Sequence, residues 1–222
     1  MRNYYVKHCG NPYLKSGLKL VLTLSIILLL LIPGYVQAAE REGDGLTGLI
    51  YSPTVETVGF GILNLGFANR PASGLISVNY GLFPDVELGF ALNLVEIRPE
   101  FFAKLALLHE EDGDLGLALG MTGDDLFLVA RKRLTKAGIN AHLGLGQGRY
   151  GGVFAGLDWL LEPSIAAGES NLELPSLQLM AEYINHNVNL GSRMNFSSGF
   201  YFDMGYLAGS DIYFGLGYNI DL

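Results

Sequence analysis

The chain ends in a segment, DIYFGLGYNIDL (residues 211–222), in which large apolar residues alternate with small or polar ones. In an extended strand, successive side chains point to opposite faces. The second face of this segment carries mainly glycine and asparagine, whereas a soluble sheet would place long charged side chains there. The first face carries, in order, Ile212, Phe214, Leu216, Tyr218 and Ile220.

The same two-residue period recurs along the chain and predicts an all-β protein. The alternating segments are separated by short connectors rich in Gly, Asp, Asn and Pro, which is typical of antiparallel hairpins in sequence order. Beyond the N-terminal region no helical periodicity is visible. About twelve strands are predicted, at Val58–Phe67, Gly74–Tyr80, Val86–Leu94, Phe101–Leu108, Leu115–Met121, Leu126–Lys132, Ile139–Gly146, Val153–Leu161, Leu177–Tyr183, Val188–Phe196, Phe200–Tyr206 and Asp211–Leu222.

The composition of the second faces favours a membrane barrel over a soluble one. Charged residues make up 16% of the chain, against roughly 25% in ordinary soluble domains. Small inner residues suit a crowded lumen, and large apolar residues suit lipid. The sequence therefore predicts an antiparallel up-and-down transmembrane β-barrel of about twelve strands, with a range of about 10 to 14. A secreted soluble β-barrel or sandwich is the alternative.

Aromatic residues near the strand ends agree with two membrane interfaces, where aromatic girdles form. The predicted girdle consists of Phe67, Tyr80, Phe83, Tyr150, Trp159, Tyr183, Phe196, Phe200, Tyr206 and Tyr218.

The N-terminal residues 1–39 predict a secretory signal peptide. Four basic residues precede the apolar run Leu20–Ile32, and small residues follow it. Thirteen apolar residues are fewer than the roughly 20 of a transmembrane helix, although an uncleaved N-terminal anchor is the alternative. Residues 40–222 then form the barrel domain, and export predicts the outer membrane of a diderm bacterium.

The charge balance excludes nucleic acid as a partner. The chain has 14 Lys and Arg against 22 Asp and Glu. Removing the four basic residues of the signal leaves 14 − 4 = 10 against 22, which is a net charge of −12, so an anionic polymer would be repelled. The lone cysteine, Cys9, leaves with the signal. We expect no cofactor and no metal site, because scattered histidines offer no ligand spacing.

The sequence predicts no catalytic residues. His142, Ser77 and Asp158 lie on inward faces, but nothing in the sequence brings them together as a hydrolase would require. A lipid-active outer-membrane enzyme is therefore only an alternative. The G-x-G-x-x-G segment at 146–151 is followed by a strand rather than a helix, so it predicts a hairpin turn.

Charged residues on the small face are the candidate site. Opposite charges on different strands can pair across a narrow interior and fill it, or they can line a conducting or ligand-guiding path. A twelve-stranded barrel lies between filled and open types, so its size leaves both alternatives open. The predicted lumen charges are Glu87, Lys104, Arg131, His142, Asp158, Glu182, Arg193 and Asp203.

Four stretches resemble the YjbH-type outer-membrane proteins that are encoded with exopolysaccharide genes. They are GLTGLIYSPTVETVGFGILNLGF (45–67), ISVNYGLFPDVELGF (76–90), FAGLDWLL (154–161) and LPSLQLMAEYINHNVNLGSRMNF (174–196). The resemblance implies a β-rich outer-membrane protein that assists production or export of a polysaccharide. It also implies polysaccharide or envelope secretion proteins as partners besides membrane lipid. Many members are longer, and some carry a lipoprotein cysteine that is absent here; Glu182 and Asn189 are carried over only as motif positions.

The predicted topology raises one conflict. With a periplasmic N-terminus and twelve strands, the long Glu162–Ser176 connector falls on the periplasmic side, although long loops are usually external. Two possibilities stay open: Gly48–Tyr51 is an additional strand, or the loop docks a periplasmic partner.

Overall fold

A computed structural model describes residues 45–70, 73–110, 115–162, 174–208 and 211–222. The predicted signal peptide lies outside these residues. Within the described ranges, no helix has the length and apolar character needed to cross a membrane.

Twelve antiparallel strands form a closed barrel, as the sequence predicts. Each strand pairs with its neighbours in sequence. The last strand pairs with the first, with Ile62 facing Asp221 at one end of the pairing and Asn69 facing Phe214 at the other. The strands are β1 (Ile62–Arg70), β2 (Ser73–Phe83), β3 (Val86–Asn93), β4 (Arg98–Leu108), β5 (Gly116–Thr122), β6 (Asp125–Arg133), β7 (Ile139–Gly146), β8 (Gly152–Leu161), β9 (Ser176–Ile184), β10 (Asn187–Asn195), β11 (Phe200–Leu207) and β12 (Asp211–Asp221).

The two faces of each strand differ as expected. On β7, Leu143 is 61% exposed on the outside, whereas the adjacent His142 is 3% exposed. On β12, Phe214 and Leu216 point outward and Tyr213 points inward. Large apolar side chains therefore cover the outer surface, and the inner faces form the packed interior.

Inner glycines make room for aromatic rings on neighbouring strands. A Cβ placed on Gly144 would lie 2.0 Å from Cζ of Phe154, and one placed on Gly217 would lie 1.9 Å from the hydroxyl oxygen of Tyr201. Both pairs lie on adjacent strands. The small second faces are thus needed because rings from the next strand lie over them, and any larger residue would overlap with the ring.

Two expectations from the sequence are wrong. Tyr150 is not an interfacial residue: it is fully buried, it hydrogen-bonds Thr122 at 2.9 Å, and its ring packs edge-on against Phe127. It lies in a 3₁₀ turn, Gly148–Tyr150, that connects β7 to β8. The first strand also begins at Ile62 rather than Val58, because the buried Val58 belongs to a segment inside the barrel.

The connectivity places the N-terminal start of β1 and the end of β12 at the same end of the barrel, here called the terminal end. The β8–β9 connector, from Leu161 to Ser176, opens at this end too. The possibility that Gly48–Tyr51 forms an extra strand is wrong, since Gly48 makes only an isolated bridge to Pro53. With twelve strands and no additional one, the long β8–β9 connector begins and ends on the same side of the barrel as the start of β1.

Candidate functional site: a luminal segment held by polar wall residues

Residues 45–58, here called the luminal segment, occupy the interior of the barrel. The segment folds back on itself, with Leu49 N donating to Ser52 O at 2.9 Å and Thr54 N donating to Thr47 O at 3.4 Å. Its contacts reach β2, β3 and β4 on one wall and β9 and β10 on the other. Its fully buried residues are Leu46, Thr47, Leu49, Ile50, Ser52, Thr54 and Val58.

Glu182 on β9 binds the tip of the luminal segment. Its carboxylate accepts hydrogen bonds from the backbone N–H groups of Ile50 at 3.2 Å, Tyr51 at 3.0 Å and Ser52 at 2.9 Å. Asn189 on β10 donates to the same carboxylate at 2.8 Å. These three consecutive N–H groups lie in a tight turn, so the carboxylate supplies the acceptors that a buried backbone requires.

Glu87 and Lys104 hold the other part of the luminal segment. Glu87 on β3 accepts from the N–H of Thr47 at 3.1 Å and from the Thr47 hydroxyl. Lys104 on β4 donates to Thr47 O at 2.8 Å and lies 3.5 Å from the Glu87 carboxylate. Asn79 on β2 donates to Glu87 at 2.7 Å and to Gly45 O. All of these wall side chains are buried. An unpaired charge is very costly in such a medium. Here the Glu87 carboxylate and the Lys104 ammonium group each have partners.

A third contact comes from Arg193. It donates to Asp203 at 2.6 and 3.1 Å, donates to Gly48 O of the luminal segment at 3.4 Å, and lies over the Tyr201 ring with its Cζ 5.6 Å from the centroid. The fork geometry of the guanidinium allows the ion pair and the carbonyl contact at once.

Two further charged groups lie on the inner wall. Asp158 on β8 accepts from His142 Nε2 at 2.6 Å and from Asn140 at 2.8 Å. Arg131 on β6 pairs with Glu56 of the luminal segment, and its Nη1 lies 3.6 Å from Glu110. The side chains of Arg131 and Glu56 are partly exposed near the terminal end.

The eight predicted lumen charges all point inward, but they do not form one cluster. They fall into five separate groups, in which the luminal segment or a neighbouring strand supplies the partners. Sequence reasoning missed the luminal segment and Asn79. The sequence feature that could have revealed the luminal segment is the stretch 45–57. It contains apolar residues without a two-residue period and lies between the predicted signal peptide and the first clear strand.

The structure does not assemble the hydrolase triad. His142 and Asp158 form a pair on β7 and β8, whereas Ser77 lies on β2 beside Gly45, where a Cβ on Gly45 would lie 2.7 Å from the Ser77 Cβ. Within the described ranges, no group of three His, Cys, Asp or Glu residues has the spacing to hold a metal ion.

The luminal segment leaves little free space in the interior. A pocket beside Gly45 and Tyr201 encloses about 20 Å³, which is room for about one water molecule. A wider cleft of about 470 Å³ opens at the end opposite the termini. Arg149 crosses this cleft, binding Glu100 at 3.0 Å and Asp125 at 3.2 Å. Among the described residues, the luminal segment and Arg149 thus narrow the lumen from its two ends.

The four sequence stretches 45–67, 76–90, 154–161 and 174–196 meet in space. Glu182 and Asn189 of the last stretch bind the tip of the first, and Asn79 and Glu87 of the second bind its start. In the third stretch, Gly156 provides the space that the Leu49 side chain fills, since a Cβ there would lie 2.3 Å from it. Glu182 and Asn189, the two motif positions of the last stretch, thus both help to hold the luminal segment.

No protein-family model and no curated protein matches the chain. Among solved structures, the KdgM porin is 10% identical with a TM-score of 0.49, and the match covers 72% of this chain and 99% of that one. A KdgM porin in complex with disordered oligogalacturonate is also 10% identical, with a TM-score of 0.47 and the same coverage. A triple mutant of the Rhodopseudomonas blastica porin is 16% identical with a TM-score of 0.33, covering 68% of this chain and 55% of that one. These likenesses concern barrel architecture alone.

Proposed function

We propose that this protein is an outer-membrane barrel that serves production or export of an extracellular polysaccharide, with the luminal segment as a removable closure of the path. Large apolar side chains on the outer wall suit lipid, and closure of the sheet leaves no unpaired strand edge in hydrocarbon. The resemblance of the four stretches supports the polysaccharide as substrate class. Envelope secretion proteins are the proposed partners at the terminal end.

The observation that carries the proposal is how the luminal segment is held. Two wall glutamates, Glu182 and Glu87, accept hydrogen bonds from its backbone N–H groups. Two wall cations, Lys104 and Arg193, donate to its carbonyl oxygens. If the segment withdrew, those same side chains would line a hydrated passage and find partners in water or in sugar hydroxyls. A wall meant only for permanent packing gains more from apolar residues, because buried ion pairs contribute little net stability.

A second candidate is a permanently plugged structural barrel. It is favoured by the tight seating of Leu49 and Ile50, which fill the spaces beside Gly156 and Gly191.

Single-channel recordings in planar bilayers distinguish the two candidates. We expect the full protein to be closed most of the time and a variant lacking residues 45–58 to conduct steadily. We also expect a soluble polysaccharide added to one chamber to block that current. Absence of current from the deletion variant, with heat-modifiable gel mobility proving that its barrel is closed, would refute the conduit. Current without any block by polysaccharides, together with unchanged surface polysaccharide in cells lacking the gene, would refute the substrate class.

A further inference from the structure

Positive charge is concentrated in one hairpin at the terminal end. Of the ten Lys and Arg residues beyond position 39, four lie between residues 131 and 136. Arg131 points inward to Glu56, whereas Lys132, Arg133 and Lys136 are exposed. The last three are here called the basic hairpin.

Lys132 occupies a position where lipid is expected. On β6 it continues the outward column of Leu128 and Ala130, and Leu134 beyond it is 55% exposed. Its partner across the strand pair is Ala141, also outward. Lys132 thus lies at the edge of the apolar belt, with apolar side chains on its own strand and on the next.

Within the described strands β5 to β9, the outward positions near Lys132 carry no negative charge, and the nearest described carboxylate, Glu110, binds the backbone N–H of Arg133 and lies beside Arg131. Across the described residues of β5 to β9, every outward position is apolar or aromatic apart from Lys132 itself. A lysine at the edge of a membrane extends its ammonium toward the headgroups while its methylene chain stays among apolar groups.

Trp159 marks the membrane boundary at the same place. It is outward on β8, 40% exposed, and its indole Nε1 donates to Ala137 O in the turn that carries Lys136, at 3.0 Å. An indole held at this depth, with its ring against lipid and its N–H at the polar edge, is typical of the interfacial zone. Lys136 thus lies one residue from the carbonyl that this indole binds, at the same end of the outer wall.

We propose that the basic hairpin and Trp159 form a binding site for a membrane phospholipid with a net negative headgroup. Lys132 and Lys136 bind the phosphate region, and the indole of Trp159 borders the site. The proposal rests on the membrane location given under the proposed function, but it is independent of whether the lumen conducts. It also explains why three exposed cations of an otherwise acidic chain lie within one hairpin.

Trp159 is the single tryptophan of the protein and reports on this site directly. The protein is reconstituted in phosphatidylcholine vesicles that contain about 10 mol% of either brominated phosphatidylglycerol or brominated phosphatidylcholine. Each lysine near the surface favours an anionic lipid about fivefold. We therefore expect quenching of Trp159 by the brominated anionic lipid to exceed quenching by the brominated neutral lipid about threefold or more.

Matched variants test which groups are responsible. Lys132→Gln/Lys136→Gln should reduce the anionic quenching to the neutral value, whereas Lys132→Arg/Lys136→Arg should retain the excess. Arg98→Gln, which removes an exposed cation at the opposite end, should also retain it. Equal quenching of the wild type by the two lipids would overturn the proposal, as would loss of the excess in Arg98→Gln.

Two further outcomes distinguish a lipid site from a site for free phosphate and from a barrel outside the membrane. Inorganic phosphate added at constant ionic strength should leave the excess unchanged; if it abolished the excess, the site would be one for free phosphate and the lipid proposal would be overturned. Absence of quenching by both lipids would overturn the membrane location itself, and with it the proposed function.

Discussion

Replacing Glu182 by glutamine tests how the luminal segment is held. Oε2 of Glu182 accepts from Ile50, Tyr51 and Ser52 N–H groups at 3.2, 3.0 and 2.9 Å. Glutamine preserves the size of the side chain, but it turns one acceptor oxygen into an NH₂ donor that faces backbone donors. The variant therefore removes a charged acceptor from a cluster of buried N–H groups.

The magnitude follows from these contacts. Hydrogen bonds to a charged group contribute about 1.5–3 kcal/mol each, and part of this is recovered when the remaining oxygen reorients. We expect a net loss of about 3 kcal/mol in the free energy that holds the luminal segment against the wall. It corresponds to roughly a 100-fold rise in the population of the state with the luminal segment released. The barrel wall keeps its full strand pairing, so the effect should stay local.

Amide hydrogen exchange on the detergent-solubilised protein measures this opening. We expect exchange at residues 50–52 to accelerate about 100-fold in Glu182→Gln, with exchange in the central strands unchanged. Asp158→Asn is the matched control, because Asp158 is an equally buried wall carboxylate that binds His142 and Asn140, which are also on the wall. Unchanged protection of residues 50–52 in Glu182→Gln, or an equal loss in Asp158→Asn, would refute the reasoning.

Two further predictions concern the wall. Gly144→Ala should lower the free energy of unfolding by about 1–3 kcal/mol, since its Cβ would overlap with Phe154; urea unfolding measures this, and Phe154→Leu in the same chain should restore part of the loss. Arg193→Met should cost about 3–5 kcal/mol because it removes the cation that pairs with the buried Asp203. Arg193→Met/Asp203→Leu should recover most of that stability, and an equally unstable double variant would show that the contact with the luminal segment matters more than the ion pair.

Part of the candidate site could be predicted from the sequence because it is local in the sheet. Glu87 faces Lys104 and Arg193 faces Asp203 directly across adjacent strands. Alternation places each of these residues on the inner face, and a short hairpin turn sets the register between neighbouring strands. Both ion pairs therefore follow from the positions of the turns.

The seat of the luminal segment could not be predicted in this way. Glu182 and Ile50 are 132 residues apart in sequence, and their contact exists only because the sheet closes. Residues 45–57 show no two-residue period, since a segment surrounded by wall on all sides has no solvent-facing side to alternate with. The position of Tyr150 was mispredicted for a related reason: a residue at a strand end can lie over the lumen or in the interface, and alternation does not distinguish them.

The sequence by itself determined the strands, their order and the face on which each side chain lies, because these depend on local backbone geometry and on the contrast between lipid and a crowded interior. Only the tertiary structure decided that the interior is filled by the protein's own residues 45–58 and which wall charges bind them. The physical reason is that contacts across a closed barrel depend on strand number and stagger, which are properties of the whole sheet and of no single segment.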